Sequence, residues 1–323
     1  MKRALITGVT GQDGAYLAEL LLREGYEVYG LVRGINSFQR MKLAYLKIEN
    51  EINYVECNIL DFVSVINLIK RIRPDEIYNL AAQSSVGASF NEPITTIQIN
   101  SQSLLNLLEA IRMLEIPVKV YQASSSEMFG SINNLPINEK SVMHPASPYA
   151  ISKATAHFSS VCYRESYGIF ISNGILFNHE SYLRGDNFFV KKVVRTALLI
   201  EQGKVKELRL GNLGVKRDFG YAPEYVKAMY KMLQIEEGDD FVICSGQSIL
   251  LRDIVNYVFN YLNIDQERII EDKTFLRPNE IIDIYGDNTK AKLKLKWEYN
   301  LSFYEVLDIL IEEERQNIGE TRK

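Results

Sequence analysis

The opening stretch MKRALITGVTGQDGAYLAELLLREGYEVYGLVRG places glycines at positions 8, 11 and 14, directly after a short apolar run, Ala4 to Ile6. An apolar run this short, bounded by glycine, predicts a buried strand of a parallel sheet. From Ala15 onward Leu17, Leu20 and Leu21 recur at helical spacing, and Gly25 ends the pattern. The segment YEVYGLV then returns to an extended pattern. The three glycines therefore occupy the turn of a strand-helix-strand unit. In that position they permit a tight turn and let a diphosphate approach the backbone at the N-terminus of the following helix. The second strand ends at Arg33, where an NAD site would carry Asp or Glu for a ribose 2′-hydroxyl. An arginine there suits a 2′-phosphate, so the expected cofactor is NADP.

The alternation continues. EINYVECNIL predicts a third strand, VSVINLIKRIRPDEIYNLAAQ a helix and a strand, SLLNLLEAIRMLEI a helix, and VKVYQASSS a further strand. Strands alternating with helices imply an α/β fold, a Rossmann-type doubly wound parallel sheet. Leu80, Ala81 and Ala82 fall at the carboxyl end of a strand, where such sheets bind ligands, and small side chains there admit a cofactor ribose. Gln83 and Ser84 follow them on the expected substrate side. Beyond residue 175 the pattern becomes irregular. The expected division is a cofactor-binding domain over 1–175, with 217–245 returning to it. A smaller C-terminal α/β substrate-binding lobe is expected over 176–216 and 246–323. The tail EEERQNIGETRK reads as a solvated helix end.

Composition narrows the function. The net charge of −4 offers no cationic field for nucleic acid or a membrane surface. No apolar run approaches the length of a membrane span. The three cysteines, Cys57, Cys162 and Cys244, are widely spaced and suggest a reducing, cytoplasmic location. No metal site is expected.

The chemistry concentrates in two segments. In SPYAISK, Tyr149 and Lys153 lie four apart, so on a helix they share a face. The ammonium is expected to lower the tyrosine pKa and hold a ribose hydroxyl. A tyrosine so placed accepts the proton of a sugar hydroxyl while a nicotinamide takes the hydride. In QASSSEMFG, Ser125, Ser126 and Glu127 sit at the rim of the same sheet. A hydroxyl there can share a proton with Tyr149 and hold the sugar O4. Glu127 suits removal of the proton at C5 of a 4-keto sugar, followed by protonation of the departing 6-hydroxyl. That is loss of water, which a C4 epimerase or reductase does not need.

Taken together, TGVTGQDGAYLAELLL, YNLAAQSSVGASF, QASSSEMFG, SPYAISK, NGILFNHES, LRLGNLGVKRDFG and FLRPNE resemble the extended short-chain dehydrogenase/reductases, and within them the GDP-mannose 4,6-dehydratase family. The resemblance runs over nearly the whole chain. It implies that Gly8, Thr10, Gly11, Gln12, Asp13 and Gly14 hold the NADP diphosphate and Arg33 its 2′-phosphate. It makes Ser125, Glu127, Tyr149 and Lys153 catalytic and sets Asn178 beside nicotinamide and sugar. Lys192 and Arg217 would meet the substrate diphosphate, Arg277 and Glu280 the nucleotide end, and Ser126 the sugar. It further implies a GDP-sugar substrate and a homodimer or homotetramer, with GINSFQR reaching a neighbouring subunit.

Three positions depart from the family pattern: Ser125 replaces a threonine, Ala146 an arginine and Tyr182 a proline. The first keeps a hydroxyl. The other two leave GDP-N-acetylglucosamine, or another GDP-sugar of surface-glycan synthesis, as the alternative to GDP-mannose. A nucleotide sensor without catalysis would be expected to lose Tyr149 or Lys153, and both are present.

Overall fold

Gly8 adopts a φ of +73°, and a Cβ built on it would lie 2.9 Å from the Ala81 nitrogen. A Cβ on Gly14 would lie 2.2 Å from the Gly8 carbonyl oxygen. The glycine turn is therefore dictated first by close packing of the first helix against two strand ends, a contact that any side chain would block. In the computed structural model, whose described residues are 1–276 and 278–320, this turn joins β1 (Arg3–Thr7) to a helix over Gln12–Arg23. The chain continues through β2 (Glu27–Val32), β3 (Asn53–Glu56), β4 (Glu76–Asn79), β5 (Lys119–Ser125) and β6 (Ile171–Leu176). Then follow the short β7 (Asn178–Glu180), β8 (Leu208–Leu210), β9 (Lys216–Tyr221), β10 (Asp240–Ile243), β11 (Ser248–Leu250) and β12 (Ile269–Glu271).

The seven-stranded sheet has the order β10-β6-β5-β4-β1-β2-β3. All its pairings are parallel. This is the doubly wound α/β fold anticipated from the alternation. Helices over Phe62–Ile72 and Ser103–Leu114 bury Leu68, Ile69, Leu107 and Leu108 against one face. Helices over Gln12–Arg23 and Ala222–Met232 cover the other. Two small sheets, β11-β9-β7 and β12-β8, lie outside the main one.

A second apolar cluster is built from helices over Phe189–Glu201, Leu251–Tyr261 and Phe303–Glu320, with β8 and β9 contributing. Within the last helix Glu314 is 3% exposed and pairs with buried Lys191. That helix is thus anchored by a buried charge as well as by Val306, Leu307 and Ile311. Residues 289–299 return to the first core: Ala291, Leu295 and Trp297 are buried there, and the Trp297 indole donates to the Glu224 carbonyl at 3.0 Å. Among the described residues no helix is long and apolar enough to cross a membrane.

Candidate functional site

The carboxyl ends of β1, β4 and β5 are tied by a buried polar chain. Thr7 Oγ1 donates to Asn79 Oδ1 at 2.8 Å, and Asn79 Nδ2 donates to Gln122 Oε1 at 2.7 Å. Thr7 Oγ1 also accepts from the Leu80 and Ala81 amides, each at 3.0 Å. These bonds fix the rim from which the site rises. Ser125 closes β5, and Glu127 follows in a single 3-10 turn, its amide donating to Ser125 Oγ at 3.2 Å. Pro148–Tyr167 is one long helix, started by Ser147, whose hydroxyl accepts from the Ala150 amide. It carries Tyr149 and Lys153 on the same buried face.

One cleft is lined by Ser125, Glu127, Tyr149, Lys153, Asn178 and Arg217. Asp13, Leu80, Ala82, Ser84, Ser126 and Glu280 also line it. The Ser125 hydroxyl hydrogen-bonds Tyr149. Lys153 Nζ donates to the Ala123 carbonyl at 2.8 Å and lies 5.8 Å from the centre of the Tyr149 ring. Burial pushes Tyr149 up to about 12, against the Ser125 hydrogen bond, while the Glu127 charge adds to the rise. Burial pulls Lys153 down to about 8, opposed by the Asp13 charge. The tyrosine is thus raised rather than lowered as expected from the ammonium, because desolvation of the buried phenolate dominates.

The first helix begins at Gly11, whose missing side chain leaves the N-terminal amides without a side-chain cap. Such an open helix N-terminus fits a diphosphate. A negative Asp13 in that first turn would oppose it, but Asp13 is neutralised by His179. Nε2 of His179 lies 2.9 Å from Asp13 Oδ2, and Nδ1 lies 2.7 Å from the Phe177 carbonyl. Both ring nitrogens face acceptors, so both donate and the imidazole is charged. Burial lowers its pKa, and Asp13 more than reverses that, leaving it raised. Burial likewise raises Asp13, and His179 and Gln12 more than reverse it, holding the carboxyl well below the carboxylate range. The His179 ring stacks on Tyr225, centroids 4.7 Å apart.

A family model described as GDP-mannose 4,6 dehydratase matches residues 5–310. The chain belongs to the GDP-mannose 4,6-dehydratase family. It is 43% identical to GDP-mannose 4,6 dehydratase 2 of Arabidopsis thaliana, over 97% of this chain and 87% of that one. It is 39% identical to the GDP-mannose 4,6-dehydratase of Sinorhizobium fredii, over 100% and 99%. Among solved structures, a dTDP-glucose 4,6-dehydratase from Bacillus anthracis in complex with NAD has a TM-score of 0.85 at 20% identity, covering 98% of this chain and 97% of that one. RMD from Pseudomonas aeruginosa complexed with NADPH has a TM-score of 0.80 at 22% identity, covering 98% and 100%. These two likenesses show the shared fold.

Several residues that the family pattern points to stand away from the cleft wall. Gln12 is 6% exposed, and its amide donates to Asp13 Oδ1 at 2.9 Å and to the His179 carbonyl at 3.1 Å. It also accepts from Ser181 Oγ at 2.8 Å. The segments TGQDG and NHES therefore lock together through side chains. Gln83 is engaged with Thr96 and Ser85. Lys192 donates to the Arg209 carbonyl at 2.7 Å and lies over the Phe275 ring. Arg33 is exposed just beyond β2. Arg217, by contrast, does line the cleft; it is 6% exposed and donates to the Ile281 carbonyl at 2.6 Å. Arg277 lies outside the described residues. His179, Glu180 and Arg184 also line the cleft and were not singled out from the sequence. Their signal was the segment NHESYLRG itself, from which the sequence assigns a site role to Asn178 alone.

The depressed Lys153 makes stability depend on pH. An unfolded lysine titrates near ~10.4. Between about 8 and that value the unfolded chain holds a proton that the folded chain has lost, so stability rises with pH there. Below about 8 the full penalty of the buried ammonium remains. Lys153→Met is therefore expected to melt higher than wild type at pH 7. Thermal melts should show that advantage shrinking as pH rises through this window; a constant or reversed difference would refute the assignment.

Proposed function

We propose that the protein is an NADP-dependent GDP-sugar 4,6-dehydratase that converts GDP-mannose to a GDP-4-keto-6-deoxy-sugar and water. The observation that carries this reading is the convergence of Tyr149 and Glu127 on one cleft, joined through Ser125. When bound, the nicotinamide supplies a site that accepts the C4 hydride and returns it to C6. The residues that fit it are the uncapped helix start at Gly11 and the buried pair Tyr149 and Lys153. Lys153 orients a ribose hydroxyl and favours the ionised tyrosine once a ligand excludes the remaining water. Tyr149 takes the proton from the C4 hydroxyl as the ketone forms, and Ser125 hydrogen-bonds the same oxygen. Glu127 removes the C5 proton, made acidic by the adjacent ketone, and delivers it to the departing C6 hydroxyl as water; as C6 is reduced, C5 takes a proton from solvent, to which Tyr149 passes the one it took from the C4 hydroxyl. Arg217, with its guanidinium beside the cleft, offsets part of the substrate diphosphate.

The preference for GDP-mannose over GDP-N-acetylglucosamine is supported by the position of the two departures. Tyr182 faces a separate cavity, its ring centroid 4.7 Å from that of Tyr45. Ala146 packs beside Gly130. Neither lines the cleft. A cytoplasmic setting is supported by the free thiols Cys57, Cys162 and Cys244.

Tyr149→Phe should slow turnover of GDP-mannose by roughly 10²–10⁴-fold and block entry of solvent deuterium at C5. Glu127→Gln should leave C4 oxidation possible while abolishing the water loss seen by mass spectrometry. Release of dehydrated product by Glu127→Gln at the wild-type rate would move an epimerase or reductase ahead.

The NADP preference rests on Arg33. Arg33→Ala should weaken NADP by about ten-fold and leave NAD unchanged in a binding titration. Equal loss for both, or none, would leave Arg33 a surface residue.

A homodimer or homotetramer is supported by two neighbouring helices. Leu105 and Met113 on one, and Ile151 and Phe158 on the other, are exposed apolar side chains. Light scattering at micromolar concentration should give a multiple of the 37.0 kDa chain mass, and Phe158→Glu should reduce it. A wild-type monomer would refute this.

A further inference from the structure

Glu180 ends β7 and is 3% exposed. Alternation along this strand gives Asn178 and Glu180 one side and turns the His179 ring to the other, against Asp13 and Tyr225. Glu180 lines the same cleft as Tyr149, Lys153 and Asn178. Its two oxygens are unequal. Oε1 lies 3.5 Å from Arg184 Nε. Oε2 is buried and has no hydrogen-bond partner among the described residues. Arg184 Nε is likewise buried without a hydrogen bond, and its guanidinium lies over Phe188 at 3.6 Å. A buried carboxylate oxygen left unpaired is costly, and buried acceptors in folded proteins are nearly always satisfied. The proposed catalytic steps make no use of this group.

We propose that Glu180 is a cofactor-binding residue whose Oε2 accepts a hydrogen bond from the carboxamide N–H of the nicotinamide half, and whose charge favours the oxidised cofactor. This rests on the nicotinamide cofactor of the function proposed above. The chemistry of the site selects that half. The cofactor and substrate diphosphates are anionic and a carboxylate repels them, whereas the nicotinamide end carries N–H and O–H donors and, when oxidised, a positive ring. The charged groups facing Glu180 are Arg184, His179, Asp13 and Lys191. Burial raises the Glu180 pKa and Asp13 adds to the rise, while Arg184, His179 and Lys191 oppose it and so reduce the cost of the ionised form. A carboxylate close to the nicotinamide stabilises the cationic oxidised ring more than the neutral reduced one. The resting enzyme would thereby be held in the state that begins a turnover.

The test is a binding titration of purified protein with oxidised cofactor, reduced cofactor and 2′-phospho-ADP-ribose, which lacks the nicotinamide. Glu180→Gln keeps shape and removes charge. It should weaken the oxidised form by about ten-fold and the reduced form by less, and leave 2′-phospho-ADP-ribose unchanged. An unmoved oxidised-to-reduced ratio, or an equal loss for 2′-phospho-ADP-ribose, would overturn the proposal. Glu180→Asp keeps charge and shortens reach. It should weaken both dinucleotides without changing their ratio, and it decides the matter if the Gln variant does not fold: full wild-type affinity would overturn the proposal. If the wild type binds NAD in preference, the Arg33 reading fails, and the same titration with the NAD pair and ADP-ribose still tests Glu180.

Discussion

The ion pair between Asp13 and His179 holds the site together. It joins the glycine turn after β1 to the strand that leaves the main sheet, across 166 residues of chain. Without it a carboxylate would sit uncompensated at the start of the first helix, where a diphosphate is expected. With it the helix start presents bare amides and no net side-chain charge. Gln12 and Ser181 reinforce the same junction. Buried pairs of this kind gain little over an apolar substitute, but loss of one partner strands the other charge in a low-dielectric interior. The pair therefore acts more as a register than as a source of stability: it sets where Asn178 and Glu180 stand relative to the turn.

The cleft is built largely of ionisable groups held away from their ordinary titration. Tyr149 is raised and Lys153 lowered, both chiefly by burial. Glu180 is raised by burial as well, with Arg184 and His179 opposing it. Each is poised so that a charged ligand, on entering, shifts several protonation equilibria together. A cleft of this composition is unfavourable for the protein alone, and the large apolar cores on either side offset it.

The alternating order of β1 to β5, the glycine turn, and the shared face of Tyr149 and Lys153 are legible because each is encoded over a few residues by spacing. The placement of Ser125 and Glu127 at the rim followed from where the β5 pattern stopped. What was illegible depends on distant partners. No local pattern pairs Asp13 with His179, or turns Gln12 inward rather than toward a cofactor. The family pattern puts Lys192 on a diphosphate, yet its ammonium donates to the Arg209 carbonyl in β8, away from the cleft lining. The direction of the Tyr149 pKa shift is set by burial depth, a tertiary property that spacing does not encode. Nor does any local pattern pack the Tyr182 ring on Tyr45, across a 137-residue separation.

The return of residues 289–299 to the first core bears on how the chain must be made. Trp297 packs in the same cluster as Ala4, Ile6 and Tyr225, so the core that begins with the first strand lacks a wall until nearly the whole chain has been synthesised. Contacts of such long sequence separation form late and slowly. During elongation the face later covered by Trp297 stays open to water.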